Sequence, residues 1–190
     1  MEWVAAGISA AAIWLTSLRR PVCWPVSLVA SLLYAWIFQE ARLYSDALLQ
    51  IFFAALICYG WWNWRRAQRE PATSRAGAQE RRPAVVAPRP AELAGSLLLG
   101  ALFALALGTA MACCTNAAAA WLDAGLTAAS LVAQFWTARL YRASWLLWIA
   151  ADAVYVALYL SRDLPVTAAL YAVFLPLAAY GWWRWRESPA

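Results

Sequence analysis

Seven stretches of this 190-residue chain stay apolar long enough to be read as helices that cross a lipid bilayer. Such a span takes about 20 residues, or slightly fewer where helices pack against one another. The stretches lie at about 2–18, 22–39, 43–64, 92–111, 117–138, 143–161 and 164–185. Short polar or charged breaks separate them, with one exception. Between the third and fourth comes RRAQREPATSRAGAQERRPAVVAPRPAE, rich in Arg, Pro, Ala and Glu and without hydrophobic periodicity. That composition predicts a solvated, flexible linker over 65–91. The first stretch has neither a basic region before it nor a small-residue cleavage site after it, so it reads as a retained helix.

The pattern repeats. YGWWNW at 59–64 returns as YGWWRW at 180–185, an offset of 121 residues. Applied to the whole chain, the same offset aligns Trp24 with Trp145, Tyr34 with Tyr155, Leu43 with Leu164, Ala47 with Ala168 and Phe53 with Phe174, all without a gap. Helices one to three therefore correspond to helices five to seven. Two directly joined triplets would face opposite ways, and a lone fourth helix restores a common direction. The prediction is an all-α integral membrane protein of seven transmembrane helices in a 3+1+3 parallel-repeat arrangement, with repeats over 2–64 and 117–185 and a connecting helix at 92–111. Parallel repeats about an axis along the membrane normal are a transporter plan, with substrate bound near the midplane between the repeats.

Composition fits this picture: the chain is 65% hydrophobic with a mean hydropathy of +0.57, well above a soluble domain. All fifteen basic residues are Arg, and His is absent. This excludes histidine triads, His-rich metal sites and histidine proton relays. An intramembrane enzyme would need a nucleophile and base or a metal cluster at one depth, and the scattered carboxylates offer neither. The four cysteines have no CxxC spacing and read as small buried hydrophobes. With the N-terminus outside, thirteen arginines lie on the cytoplasmic side and two, Arg42 and Arg162, on the outer side. The positive-inside rule thus predicts a cytoplasmic C-terminus. Most tryptophans then fall near the inner ends, and the sextet marks a helix terminus at the inner headgroups with an Arg to anchor it.

The midplane carries the candidate chemistry. Ser31 and its counterpart Asp152 fall at equal depth near the centres of helices two and six, with Tyr34 and Tyr155 one turn further out. Gln50, counterpart of Tyr171, sits in the upper middle of helix three. An ionisable group at that depth costs at least about 2.5–3.5 kcal/mol on insertion scales and faces a cavity or a partner. No Arg lies at matching depth, so Asp152 is the leading site residue and favours a cationic ligand; the alternative is a hydrogen-bonded packing role. Trp145 and Trp148 form WxxW on one face, with Asp152 a turn beyond Trp148. Two indole faces and a carboxylate suit a flat cation. Gln134, near the inner end of helix five, is a further candidate. Asp46 and Asp123 read as solvated acids at helix N-termini. No cofactor, metal or nucleic acid is expected.

The segments ARLYSDALLQIFFAALICYGWWNW and, from residue 121, WLDAGLTAASLVAQFWTARLYRASWLLWI resemble the helix-three and helix-five-to-six signatures of the PnuC vitamin transporters, the second with a one-residue shift at its leading Trp. The resemblance spans nearly the whole chain apart from the linker. It implies a SWEET-like 3+1+3 bundle in the bacterial cytoplasmic membrane, assembled as a homotrimer, that moves a phosphate-free vitamin precursor inward by facilitated diffusion. A cytoplasmic vitamin kinase would phosphorylate the vitamin and so prevent its return. It implies nicotinamide riboside as substrate, with thiamine or riboflavin as alternatives, and binding roles for Trp145, Trp148 and Gln50. The chain departs from the family where Asn on helices two and six is replaced by Ser31 and Asp152. A proton-coupled variant would use Asp152 as the titrating group, and uptake insensitive to a pH gradient would argue against it.

Overall fold

The computed structural model describes residues 2–40, 44–69, 83–114, 119–163 and 165–186. These residues form seven helices: α1 (Glu2–Ser17), α2 (Cys23–Glu40), α3 (Tyr44–Arg69), α4 (Pro90–Cys114), α5 (Ala120–Ala138), α6 (Ser144–Ser161) and α7 (Pro165–Arg184). Pro90 and Pro165 open their helices at the first position, where a missing N–H is harmless and a fixed φ helps. Among the described residues there is no strand, only one isolated bridge between Val86 and Tyr141.

The turns after α1 and α5 are built alike. Arg19 and Leu140, 121 residues apart, both adopt the left-handed conformation, at φ 53° and 62°. The N–H of Arg20 reaches the Leu15 carbonyl at 3.1 Å, and that of Tyr141 reaches Trp136 at 2.9 Å. Arg19 bonds Thr16 and Leu140 bonds Thr137 in the same register. This is a Schellman ending, which satisfies the last carbonyls of each helix without the usual glycine.

Six helices pack in a closed ring, α1–α2–α3–α5–α6–α7 and back to α1. Among the described residues α4 packs on α5 alone, where Gly100 faces Val132 and Gly108 faces Trp121. The ring has two seams between the triplets, and residues 121 apart make like contacts at each. Tyr180 stacks on Trp14 at 5.0 Å across α1 and α7; Tyr59 stacks on Phe135 at 6.2 Å across α3 and α5. Trp24 meets Trp64 edge-on at 5.2 Å, and Trp145 meets Trp185 edge-on at 5.4 Å. Trp64 and Trp185 themselves touch at 6.0 Å, which brings the C-terminal ends of α3 and α7 together.

The interior is built from small residues, including Ala5, Ala124, Ala133 and Ala138, around this tryptophan cluster, while Leu97, Leu98, Leu99 and Leu102 of α4 point outward. Small residues inside let helix backbones approach closely, as helices packed within lipid do. By length and composition, α4 and α6 are apolar enough to cross a membrane.

Three expectations need correction. The linker read at 65–91 is shorter at both ends: α3 continues to Arg69, and the Val86 N–H pairs with the Leu140 carbonyl at 3.1 Å beside a fully buried Pro83. The residues of 83–89 are held by shape and backbone pairing, which composition does not register; 70–82 lie outside the described residues. Of the cysteines, only Cys23 is buried, while Cys58, Cys113 and Cys114 lie on the outer surface. The tryptophans are not all belt residues: Trp62 and Trp183 face outward, but Trp24, Trp64, Trp136, Trp145 and Trp185 are core.

Candidate functional site

The polar positions of the helix centres fall into two groups, one where α2 packs on α3 and one where α6 packs on α7. Ser31, buried on α2, lies 2.9 Å from the side-chain oxygen of Gln50 on α3 and 3.1 Å from its carbonyl, and its hydroxyl is the donor. This bond fixes the Gln50 carboxamide and leaves its NH2 group for another partner.

In the second triplet Asp152 is only 5% exposed, and among the described residues no Arg pairs with it. Three tyrosines accompany it. Tyr155 and Tyr171 stack at 4.6 Å, Tyr159 lies 5.4 Å from Tyr171, and Phe174 meets Tyr171 edge-on at 5.7 Å. Tyr155 lies close to Ser130 of α5. Asp152 and, from the first triplet, Tyr34 of α2 both lie in the electrostatic surroundings of Tyr171, although among the described residues α2 packs on neither α6 nor α7. Such a wall of phenol faces around a carboxylate attracts a flat cation by stacking and charge together. Tyr159 and Tyr171 were not among the residues expected here. The signals were present: Tyr171 is the counterpart of Gln50, and Tyr159 lies one turn from Tyr155.

The WxxW pair divides. Trp145 is 3% exposed and wedged between Trp185 and Gly181, with its indole N–H unpartnered; Trp24 has the same surroundings against Trp64 and Gly60 and the same unpartnered N–H. Trp148 is partly buried and donates its N–H to the Thr137 hydroxyl at 3.2 Å. The Thr137 hydroxyl donates to the Ala133 carbonyl at 2.9 Å, and the Thr137 carbonyl accepts from the Trp64 indole N–H at 3.1 Å. Trp148 is thus oriented by α5 through its ring edge, and it packs partly buried against the tryptophan-rich core. Gln134 is partly buried on α5, one turn before Ala138. Asp123 lies in the first turn of α5, 3.9 Å from Arg162; the Asp46 side chain falls outside the described residues.

A second polar cluster closes the tryptophan-rich end. Tyr141 donates to Glu92 at the start of α4, and Arg139 lies 3.2 Å from the Tyr141 oxygen, 3.5 Å from Glu92 and 3.5 Å from the Tyr59 oxygen. Burial, and then the Glu92 carboxylate, push the Tyr141 phenol above its ordinary range. Arg142 lies 3.4 Å over the Trp182 ring and donates to its carbonyl at 3.1 Å; burial and nearby Arg186 lower its affinity for a proton. Among the described residues no three His, Cys, Asp or Glu side chains converge as a metal site would need.

The crystal structure titled that of the vitamin B3 transporter PnuC matches this fold with a TM-score of 0.72 at 18% identity, covering 96% of this chain and 80% of that one. The two chains share a helical architecture. The profile of a family described as nicotinamide mononucleotide transporter matches residues 1–187. Over that length the chain belongs to the nicotinamide mononucleotide transporter family, and it is a membrane protein.

Proposed function

We propose that the chain carries nicotinamide riboside across the bacterial cytoplasmic membrane by facilitated diffusion, through alternating access between two parallel triplets joined by α4. The observation that carries the reading is Asp152: a carboxylate 5% exposed, without an Arg partner among the described residues, beside the stacked tyrosines of α6 and α7. A buried carboxylate needs a compensating positive charge, a proton or a cationic ligand. The nicotinamide ring of the riboside is such a cation. The mononucleotide in the family's description adds a phosphate, which this carboxylate repels and which no guanidinium at its depth offsets. The riboside is therefore favoured over its phosphorylated form, and phosphorylation by a cytoplasmic kinase traps it inside.

Support for the 3+1+3 plan comes from the matched Schellman endings, the two like seams and the meeting of the α3 and α7 ends. Inverted triplets would carry those ends to opposite faces. The orientation, C-terminus inside, draws on the gathering of Arg65, Arg66, Arg139, Arg142 and Arg184 at the tryptophan-rich end, with Arg162 at the other. In this reading Trp148, Asp152, Tyr155 and Tyr34 contact the vitamin, Gln50 (held by Ser31) and Gln134 supply amides, and Trp145 acts behind them. Assembly as a homotrimer completes the proposal, and native mass spectrometry tests it.

The test is a binding titration of the purified chain against nicotinamide riboside, thiamine and riboflavin, repeated with Asp152→Asn. Riboside binding that weakens tenfold or more in the variant, with thermal stability retained, is the expected result. Unchanged affinity in Asp152→Asn removes that residue from the site. Tighter binding of thiamine, the other ring cation, replaces the substrate and leaves the transport mechanism standing.

A further inference from the structure

The outer face of α3 is unlike that of its counterpart α7. Cys58, Trp61, Trp62, Arg65, Arg66 and Arg69 line a groove of about 520 Å³ that holds three guanidinium groups and, among the described residues, no carboxylate. Arg65 lies over the Trp61 ring at 5.8 Å and Arg66 over Trp62 at 5.7 Å, so two parallel ladders flank the groove. Towards the other end of the helix the same exposed side carries Ile51 and Phe52, both more than half exposed. At 26 residues, α3 is about 39 Å long, against about 30 Å of hydrocarbon. Its last turns therefore stand at headgroup depth, Ala55 and Cys58 stand among the acyl chains of the same leaflet, and Ile51 and Phe52, about 20 Å further along, continue the apolar face past the midplane.

We propose that this face is a binding site for a single anionic phospholipid, with the acyl chains along Ala55 and Cys58, both exposed, and the phosphate between Arg65, Arg66 and Arg69. Guanidinium forks match phosphate oxygens in pairs, and the indoles pre-order the two arginines they carry. The site belongs to one triplet only. At the corresponding positions α7 and the residues after it have Arg186, Glu187 and Ala190, so a general demand for anchoring arginines does not account for it.

The experiment uses the purified full-length chain in detergent, titrated with dioleoyl phosphatidylglycerol or dioleoyl phosphatidylcholine, with bound lipid counted by native mass spectrometry. The glycerol lipid should bind at least tenfold tighter. Each guanidinium removed should lower that affinity about fivefold, so Arg65→Gln, Arg66→Gln and Arg69→Gln together should erase the preference. The three Lys replacements should keep part of it, and Arg184→Gln with Arg186→Gln should keep all of it. Should the triple Gln chain fail to insert, Arg66→Gln alone decides, with a fivefold loss expected. Equal binding of the two lipids, a preference that survives the Gln changes, or equal loss in the α7 variant overturns the proposal. Displacement of the lipid by millimolar inorganic phosphate would make this a free-anion site and overturns it too. So would a change of oligomeric state with lipid preference intact, since a second copy would then be the occupant.

Discussion

The glycine of each aromatic sextet makes a sharp test of the packing. A Cβ placed on Gly60 would collide with Cη2 and Cζ3 of Trp24, and one on Gly181 would lie 2.5 Å from Cε2 and Cζ2 of Trp145. An ordinary carbon contact needs 3.5 Å or more, so the ring must retreat by about 1 Å. It has nowhere to go: Trp145 is 3% exposed and braced edge-on against Trp185, and Trp24 is 2% exposed against Trp64. Overpacking of this kind costs about 1–3 kcal/mol, and such confined rings place it near the upper end. Helix propensity works the other way, since Ala in a helix is better than Gly by about 1 kcal/mol. The net expectation for Gly60→Ala or Gly181→Ala is a loss of about 2 kcal/mol, or about 4–8 °C in Tm for a chain of this size. Gly125→Ala is the control, because nothing lies within 4 Å of its added carbon, and it should raise Tm by a few degrees. Thermal unfolding of the purified proteins in detergent, followed by tryptophan fluorescence, reads all three. Trp24→Phe removes the ring atoms that Gly60→Ala strikes, together with an indole N–H that has no partner. The double variant should therefore recover most of the loss. The reasoning is refuted if Gly60→Ala or Gly181→Ala raises Tm as Gly125→Ala does, or if Trp24→Phe gives no rescue.

Trp148→Ala should weaken riboside binding by about 1–3 kcal/mol if the indole face meets the ring; lost expression with normal affinity in the folded fraction would mark Trp148 as packing alone. Ser31→Ala should weaken binding through Gln50, by less than tenfold, and have no added effect once Gln50→Ala is present, because the two act as one unit; additive losses by calorimetry would refute that coupling. Tyr141→Phe breaks the bond to Glu92 and should cost about 1–2 kcal/mol of stability, visible as a lower Tm, with ligand affinity unchanged. Altered affinity instead would connect that end of the bundle to the site.

Of the candidate site, the depth of Asp152 and Ser31 was legible in the sequence because an ionisable or polar residue stands out within an apolar run. The company they keep was not. Tyr159 and Tyr171 are amphipathic enough to sit in core, belt or site, and only the packing of α6 on α7 decides which. Trp145 and Trp148 look equivalent in a WxxW motif, yet one is clamped by a glycine of α7 and the other is hydrogen-bonded to α5. The same ambiguity set Trp24, Trp64, Trp136 and Trp185 among the rings near the inner headgroups, whereas they are core.

The amino-acid order alone determined where the helices run, that the chain is a duplication with an offset of 121, and which residues are too polar to face hydrocarbon. These follow from local composition, since length and hydropathy fix a spanning segment and a gapless self-match needs no coordinates. The tertiary structure alone decided which face of each helix turns inward, how α1 meets α7 and α3 meets α5 to close the ring, and that residues 83–89 dock on the α5–α6 turn. A helix apolar on every side carries no stripe to mark its buried face. Where hydrophobicity has no direction, the fit of glycine and alanine against neighbouring rings sets the rotation of each helix, and that fit exists only between partners already in place.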